Sequence, residues 1–127
     1  MKTDHTFITG RLKSFKYAFV GAYKLITTEH SIMVQFSISI LITFAGFYFD
    51  ISKSDWMFQS IAIGMVLSVE GLNTAVEKVA DFIHPDFHER IGFIKDIAAG
   101  AVCFVACVAL FIGVMIYYPI ISALILH

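Results

Sequence analysis

Carboxylates interrupt an otherwise apolar part of the sequence in residues 70–81, EGLNTAVEKVAD. The uncharged run before it, residues 56–69, is too short to cross the roughly 30 Å hydrocarbon core of a bilayer, so a spanning helix must continue through Glu70. At about 100° per residue, the polar side chains of this segment share one stripe of such a helix: Glu70, Asn73, Thr74, Glu77 and Asp81. Because ionisable groups at membrane depth are costly and usually functional, this stripe is the predicted site.

The residue types of the stripe and of two neighbouring positions suit phosphoryl transfer. Two carboxylates together with substrate phosphates are a common ligand set for Mg²⁺, and Glu29 and the acidic residues of the stripe offer such carboxylates. Lys95, followed by Asp96, is a point charge suited to phosphate oxygens. Glu70 is the deepest carboxylate, which suits it to general-base catalysis on a hydroxyl group. In this chemistry, positioning and charge neutralisation supply most of the catalysis.

Structural explanations exist for most of these polar residues. Glu29 could be a helix cap, Asp81 an exposed residue at a helix end, and Lys78 an interface lysine that snorkels toward water. His84 and His88 are four residues apart, but a proline between them interrupts the helix and argues against a metal pair. Glu70 is harder to explain without a function.

The composition is that of a membrane protein. The chain has 127 residues, of which 58% are hydrophobic, and a mean hydropathy of +0.80, far above that of a soluble domain. This length predicts one domain, residues 1–127. The net charge of −1 argues against a nucleic-acid partner. Cys103 and Cys107 lie one helical turn apart in an apolar run and are predicted to pack as small hydrophobic residues.

The hydropathy pattern predicts an all-α integral membrane fold. It consists of an N-terminal amphipathic surface helix at about residues 5–28 and three spans at about residues 30–49, 55–83 and 96–119. A soluble helix packed on a partner is the alternative for the first segment. The short polar turn at residues 50–55 predicts an antiparallel pair, with Trp56 at the interface. Pro85 should break the chain after the second span, and Pro119 should mark the end of the third.

Basic residues predict the orientation. The N-terminal segment is rich in them, with Lys2, Arg11, Lys13, Lys16 and Lys24. The loop at residues 84–96 carries Arg90 and Lys95, and the C-terminal tail has no Lys or Arg. The positive-inside rule places the N-terminus and this loop in the cytoplasm and the C-terminus outside. The acidic stripe then lies in the cytoplasmic half of the second span.

Residues 70–81 resemble the signature of the prokaryotic diacylglycerol kinase family, E-hydrophobic-hydrophobic-N-[ST]-A-[IV]-E-x-x-x-D, which also comprises undecaprenol kinases. Lys95-Asp96 follows at the expected distance, and the surface helix and three spans fit as well. The resemblance covers essentially the whole chain. It implies a small homotrimeric membrane kinase with composite active sites and no P-loop, and the chain indeed lacks G-x-x-x-x-G-K-[ST].

The resemblance also implies residue roles. Glu70 would be the general base for the lipid hydroxyl, Glu29 and Glu77 would bind Mg²⁺, and Asn73 would orient Glu70 or the phosphoryl group. The residues implied to bind ATP are Arg11, Tyr17, Glu29, Glu77, Asp86, Phe87, His88, Lys95 and Asp96. Those implied to contact the lipid substrate are Arg11, Glu70 and Ala99.

Several positions depart from the family pattern. Gly71 replaces a bulky apolar residue, which would let another helix approach beside Glu70. Residues 88–91, HERI, only begin like the family's H-E-L-S. Met33 and Val34 stand where a basic residue is often found, and Ala99 stands where some members have serine.

The leading hypothesis is therefore ATP- and Mg²⁺-dependent phosphorylation of the primary hydroxyl of a membrane lipid. Undecaprenol is favoured by resemblance at Asp55-Trp56, residues 95–101 and the proline-bearing C-terminus, and diacylglycerol is the alternative. A proton-coupled transporter, in which Glu70 and Glu77 carry protons, is the rival from another class, and a catalytically inactive relative is a third hypothesis. Small residues at 98–101 favour close helix association and a homo-oligomer, trimeric by resemblance.

Overall fold

The fold is four α-helices in sequence. The computed structural model describes residues 2–126, and the side chains of residues 6–126; Met1, His127 and the side chain of Lys2 lie outside the described residues. The helices are α1 (Lys2–Thr28), α2 (His30–Tyr48), α3 (Lys53–Ile83) and α4 (Glu89–Ile125), and no strand occurs within residues 2–126. The predicted all-α class is confirmed, and the bounds of the first three helices agree with prediction to within a few residues.

The fourth helix is longer at both ends than the sequence predicted. It begins at Glu89 rather than near residue 96, because His88 caps it by accepting a hydrogen bond from the Arg90 amide at 3.1 Å. The predicted end at Pro119 is wrong, since the helix continues to Ile125. A proline inside a helix removes one main-chain hydrogen bond, but the helix re-forms its ladder beyond that turn.

A single residue, Glu29, separates α1 from α2. Its backbone is extended, with φ −107° and ψ 116°, and its side chain makes no capping hydrogen bond to α2. The interpretation of Glu29 as a simple cap is therefore wrong. Its main-chain carbonyl still accepts from the Met33 amide at 2.9 Å, so the backbone is satisfied while the carboxylate is left available for other contacts.

The turn between α2 and α3 is as tight as predicted. Ser52 caps α3 by accepting from the Asp55 amide at 3.1 Å, and Asp50 adopts the left-handed region with φ 49°. The Trp56 ring packs over Gly46, with its centroid 4.7 Å from that of Phe47. A Cβ at Gly46 would lie 2.7 Å from Cη2 of Trp56, so glycine permits this close packing.

We expect Gly46→Ala to destabilise the protein by about 1–3 kcal/mol, because the indole ring of Trp56 must move away from the added methyl group. Gly113→Ala is the matched control, since a Cβ there would meet nothing within 4 Å. Thermal unfolding followed by circular dichroism in one detergent measures both variants. Equal midpoints for the two variants would contradict the packing described at Gly46.

Buried polar groups join α2, α3 and α4 at the end of the bundle away from Glu70. Gln59 is 4% exposed, and its Nε2 donates to the Ile42 carbonyl at 3.3 Å. The Tyr117 hydroxyl donates to Gln59 Oε1 at 2.6 Å. Because polar groups in an apolar bundle are costly without partners, this network fixes how the three helices pack.

The chain exposes far more surface than a compact soluble protein of its mass. Its accessible surface is 10100 Å², compared with about 6800 Å² for a compact monomer of this mass. The predicted apolar stripe of α1 is exposed, including Leu12, Phe15, Phe19 and Tyr23. Within residues 2–126, α2 and α4 are long and apolar enough to cross a membrane. The exposed apolar surface must therefore be covered by lipid or by other chains.

Candidate active site

Glu70 lies in the middle of α3 with only 9% of its surface exposed. The hydroxyl of Thr74, one turn later, donates to the Glu70 main-chain carbonyl at 3.0 Å. Among residues 6–126, no side chain donates a hydrogen bond to the Glu70 carboxylate. Its carboxylate oxygens are not among the fully enclosed side-chain atoms that lack a partner in the described part of the chain, so they are accessible from outside it. The geometry is therefore that of an acceptor held ready for a group from outside this chain.

Asn73 and Glu77 lie one turn apart on the same face of α3, as the spacing predicted. The Asn73 Nδ2 donates to Glu77 Oε1 at 3.4 Å. The Asn73 Oδ1 is buried and has no hydrogen-bond partner within the described part of the chain. An orphaned amide oxygen next to a carboxylate provides two oxygen acceptors in one place.

Glu29 faces α3 and forms an ion pair with Lys78. The Lys78 Nζ lies 2.9 Å from Glu29 Oε1, and the two side chains are 67% and 22% exposed. Lys78 is thus more than a lysine that snorkels to water. Sequence reasoning missed this role, although opposite charges on two helix segments predicted to lie at one membrane level were a usable signal. The pair places the Glu29 carboxylate beside Lys78, which directly follows Glu77 in the sequence.

A second ion pair joins α3 to α4. The Lys95 Nζ donates to Asp81 Oδ1 at 2.5 Å. Asp81 is exposed, as a helix-end residue would be, but it also fixes the Lys95 ammonium next to the stripe. Asp96 and Ala99 lie on the same helix, directly after Lys95 and one turn beyond it, and both are exposed. Lys95 is therefore brought to the site by a contact that the sequence did not reveal.

The loop between α3 and α4 is exposed and folded on itself. The His84 Nδ1 lies 2.6 Å from the Asp86 carbonyl and must donate to it. Phe87 lies near Gly92, where a Cβ would be 3.6 Å from its ring. His88, which caps α4, has its ring centroid 5.3 Å from that of His84. The predicted nucleotide residues Asp86, Phe87 and His88 thus form one surface at the start of α4.

The structure does not bring Arg11 or Tyr17 to this site. Both are exposed on α1, and the Arg11 guanidinium carbon lies 5.2 Å from the centroid of the Phe7 ring. α1 approaches α3 near its own C-terminal end, where a Cβ at Gly71 would lie 3.2 Å from Leu25 Cδ1. The expectation that Gly71 admits another helix beside Glu70 agrees with this contact.

The donors of the site suit Mg²⁺ in their chemistry. Glu29, Glu77 and the orphaned Asn73 carbonyl offer hard oxygen ligands, which Mg²⁺ prefers. Within the part of the chain that the structure describes, no three His, Cys, Asp or Glu residues lie close enough to hold a metal by themselves. Mg²⁺ commonly takes one or two carboxylates and completes its shell with phosphates and water, so this donor set fits.

A large cavity in the described part of the chain does not contain these residues. It has a volume of about 730 Å³ between α2, α3 and α4, and its lining is apolar except for a few uncharged polar groups such as Gln35, Gln59 and Tyr117. Because no carboxylate or basic side chain lines it, it is not a place for phosphoryl transfer. The stripe on α3 remains the candidate site.

Comparison with known proteins identifies the family of this chain. Residues 16–117 match the family described as prokaryotic diacylglycerol kinase. The chain belongs to this family. It is 35% identical to the undecaprenol kinase of Bacillus subtilis (strain 168) over 107 aligned residues. This alignment covers 84% of this chain and 87% of that protein. It is 30% identical to the diacylglycerol kinase of Synechocystis sp. over 116 aligned residues. That alignment covers 85% of this chain and 62% of the relative.

This member of the prokaryotic diacylglycerol kinase family is therefore an enzyme of the lipid kinase class, as the sequence predicted. The matched region contains the whole α3 stripe, Glu29, Lys95 and Asp96. Arg11 lies outside it. A kinase family implies ATP as phosphate donor. Phosphoryl transfer is the chemistry for which the α3 stripe and Lys95 were singled out.

Proposed function

We propose that this lipid kinase transfers the γ-phosphoryl group of ATP to the primary hydroxyl of a membrane lipid at the cytoplasmic surface, with undecaprenol as the favoured acceptor. The observation that carries the proposal is Glu70, a residue only 9% exposed in the middle of α3, whose carboxylate has no hydrogen-bond partner among residues 6–126. A carboxylate without a partner in its own chain can accept the proton of a lipid hydroxyl.

The neighbouring residues would complete the reaction. Glu70 takes the hydroxyl proton as the lipid oxygen bonds to the γ-phosphorus and the bond from that phosphorus to the leaving ADP oxygen breaks. Lys95, held by Asp81, neutralises phosphate charge. Glu29 and Glu77 would hold Mg²⁺, which supplies further charge neutralisation when bound. Asn73 keeps Glu77 in place through its amide and has a free carbonyl oxygen for one more ligand.

The topology that this function needs is three membrane spans. α3 runs for 31 residues, which at 1.5 Å each is about 46 Å and enough to cross a bilayer. With α2 and α4 also spanning, the N-terminus and the loop at residues 84–88 lie in the cytoplasm and the C-terminus lies outside, in agreement with the distribution of basic residues. α1 then rests on the cytoplasmic surface with its apolar stripe in the headgroup region.

The assembly that we propose is a homotrimer. A single chain leaves much apolar surface uncovered, and a Cβ at Gly64 or Gly100 would meet nothing within 4 Å, so both helices offer room for close approach by another chain. We expect native mass spectrometry of the active detergent-solubilised enzyme to show three chains. An active enzyme that is strictly monomeric in this measurement would contradict the assembly.

The acceptor is best tested by direct competition between lipids. The undecaprenol kinase relative is matched over 87% of its length, and the diacylglycerol kinase relative over 62%, which supports undecaprenol. Initial rates on undecaprenol and on diacylglycerol in one detergent, at equal surface concentrations, should give the higher kcat/KM for undecaprenol. A higher kcat/KM for diacylglycerol would reverse the assignment, and phosphorylation of neither lipid would contradict the function itself.

The Asp81–Lys95 ion pair gives a smaller prediction about ATP. Asp81→Asn removes the charge that fixes the Lys95 ammonium, so we expect the KM for ATP to rise by up to about fivefold, with kcat little changed. Asp50→Asn, in the turn between α2 and α3, is the control, because asparagine also tolerates the left-handed backbone there. An unchanged KM for ATP in Asp81→Asn would show that Lys95 does not need this partner.

A further inference from the structure

Lys78 lies among the candidate site residues, and neither the sequence nor the family resemblance gave it a role in the reaction. Lys78 follows Glu77 directly in the sequence and lies one turn before Asp81. Its ammonium is 2.9 Å from Glu29 Oε1. The cation therefore contacts one of the two carboxylates that the proposed function assigns to Mg²⁺.

The two partners of this ion pair differ in exposure. The Glu29 side chain is 22% exposed, whereas the Lys78 side chain is 67% exposed. Glu29 makes no capping hydrogen bond to α2, so capping does not explain its orientation. Lysine has a flexible four-carbon stem, and its ammonium can leave without any movement of a helix.

Two carboxylates of one metal site repel each other when no metal is present. A nearby ammonium offsets this repulsion, but it also occupies an oxygen atom that the metal needs. A divalent cation and an ammonium cannot both bind Glu29 Oε1 closely, because like charges at that separation repel.

We propose that Lys78 is a positioning residue that holds the Glu29 carboxylate against α3 in the metal-free enzyme and competes with the divalent cation for it. This inference rests on the proposed function, in which Glu29 binds the metal. Lys78 thus sets the metal affinity of the site: it keeps Glu29 in place and lowers the affinity for a metal ion.

The test is metal binding rather than turnover. Free Mn²⁺, used in place of Mg²⁺, is measured by electron paramagnetic resonance as it binds to the purified enzyme at low ionic strength. Lys78→Met keeps an apolar stem without the charge and should tighten Mn²⁺ binding by about two- to fivefold. Lys78→Arg keeps the charge and should match wild type, as should Lys53→Met at the opposite end of α3. At high salt the gain in Lys78→Met should shrink, because screening weakens exposed charges.

The Glu29→Gln background separates this inference from the function on which it rests. Glu29→Gln should weaken Mn²⁺ binding, and adding Lys78→Met to it should change nothing further. If Glu29→Gln weakens binding but Lys78→Met alone does not tighten it, the role of Lys78 is wrong and the metal role of Glu29 stands. If Glu29→Gln binds Mn²⁺ as wild type does, both roles are wrong, while lipid phosphorylation by the wild-type enzyme would still support the kinase function.

Discussion

Glu70→Gln is expected to lower kcat for lipid phosphorylation by roughly 10²–10⁴-fold, the usual cost of losing a general base. The amide has nearly the shape of the carboxylate but cannot accept the hydroxyl proton. The Thr74 hydroxyl bonds to the main-chain carbonyl of residue 70 and not to its side chain, so the helix is unaffected by the change. Initial rates with saturating ATP and lipid measure the effect.

Two controls make this result specific to catalysis. Glu89→Gln makes the same chemical change at an exposed position in the first turn of α4 and should keep full activity. Thermal unfolding and oligomer size of Glu70→Gln should match wild type. A purified Glu70→Gln enzyme with wild-type kcat would exclude Glu70 as the base.

Glu77→Gln should have the second largest effect, on metal dependence as well as on rate. Loss of an outer partner of a metal ligand typically costs about 10–100-fold, so removal of a ligand charge should lower kcat/KM by at least that much. The amide oxygen can still accept the Asn73 hydrogen bond, which keeps the local geometry. The Mg²⁺ concentration for half-maximal rate should rise in parallel.

Titration of Mg²⁺ at constant free ATP measures this second prediction. Glu89→Gln again serves as the control, and its Mg²⁺ dependence should match that of wild type. If Glu77→Gln loses activity but keeps the wild-type Mg²⁺ dependence, Glu77 acts on another part of the reaction and does not bind the metal.

The stripe on α3 could be predicted from sequence because its spacing is local. Asn73 and Glu77 are four residues apart, and four residues in a helix always share a face. Their hydrogen bond confirms that face. Glu70 could be singled out because the apolar run must continue through it to cross a bilayer, which puts an ionisable group at membrane depth.

The contacts between helices could not be predicted in the same way. Lys78 meets Glu29 across about fifty residues of sequence, and only the packing of α2 on α3 brings the two together. Lys95 meets Asp81 across the loop that follows Pro85. Both pairs depend on how helices lie side by side, which hydrophobic periodicity does not encode.

The start of α4 shows a different failure of sequence reasoning. The polar stretch from Glu89 was predicted as a loop because it is not apolar, yet His88 caps it and no residue in it breaks a helix. As a result Lys95 and Asp96 lie on a regular helix and not at its flexible start. This placement holds the Lys95 ammonium firmly enough for the ion pair to Asp81.

The central claim is that this chain moves a phosphoryl group from ATP to a lipid hydroxyl, and transfer of label tests it most directly. The purified enzyme is incubated with γ-³²P-labelled ATP, Mg²⁺ and a bacterial lipid extract, and the lipids are then separated by thin-layer chromatography. We expect label in a lipid phosphomonoester, none of it when EDTA removes Mg²⁺, and little of it with Glu70→Gln. Absence of label from every lipid, with the wild-type enzyme folded and Mg²⁺ present, would contradict the account.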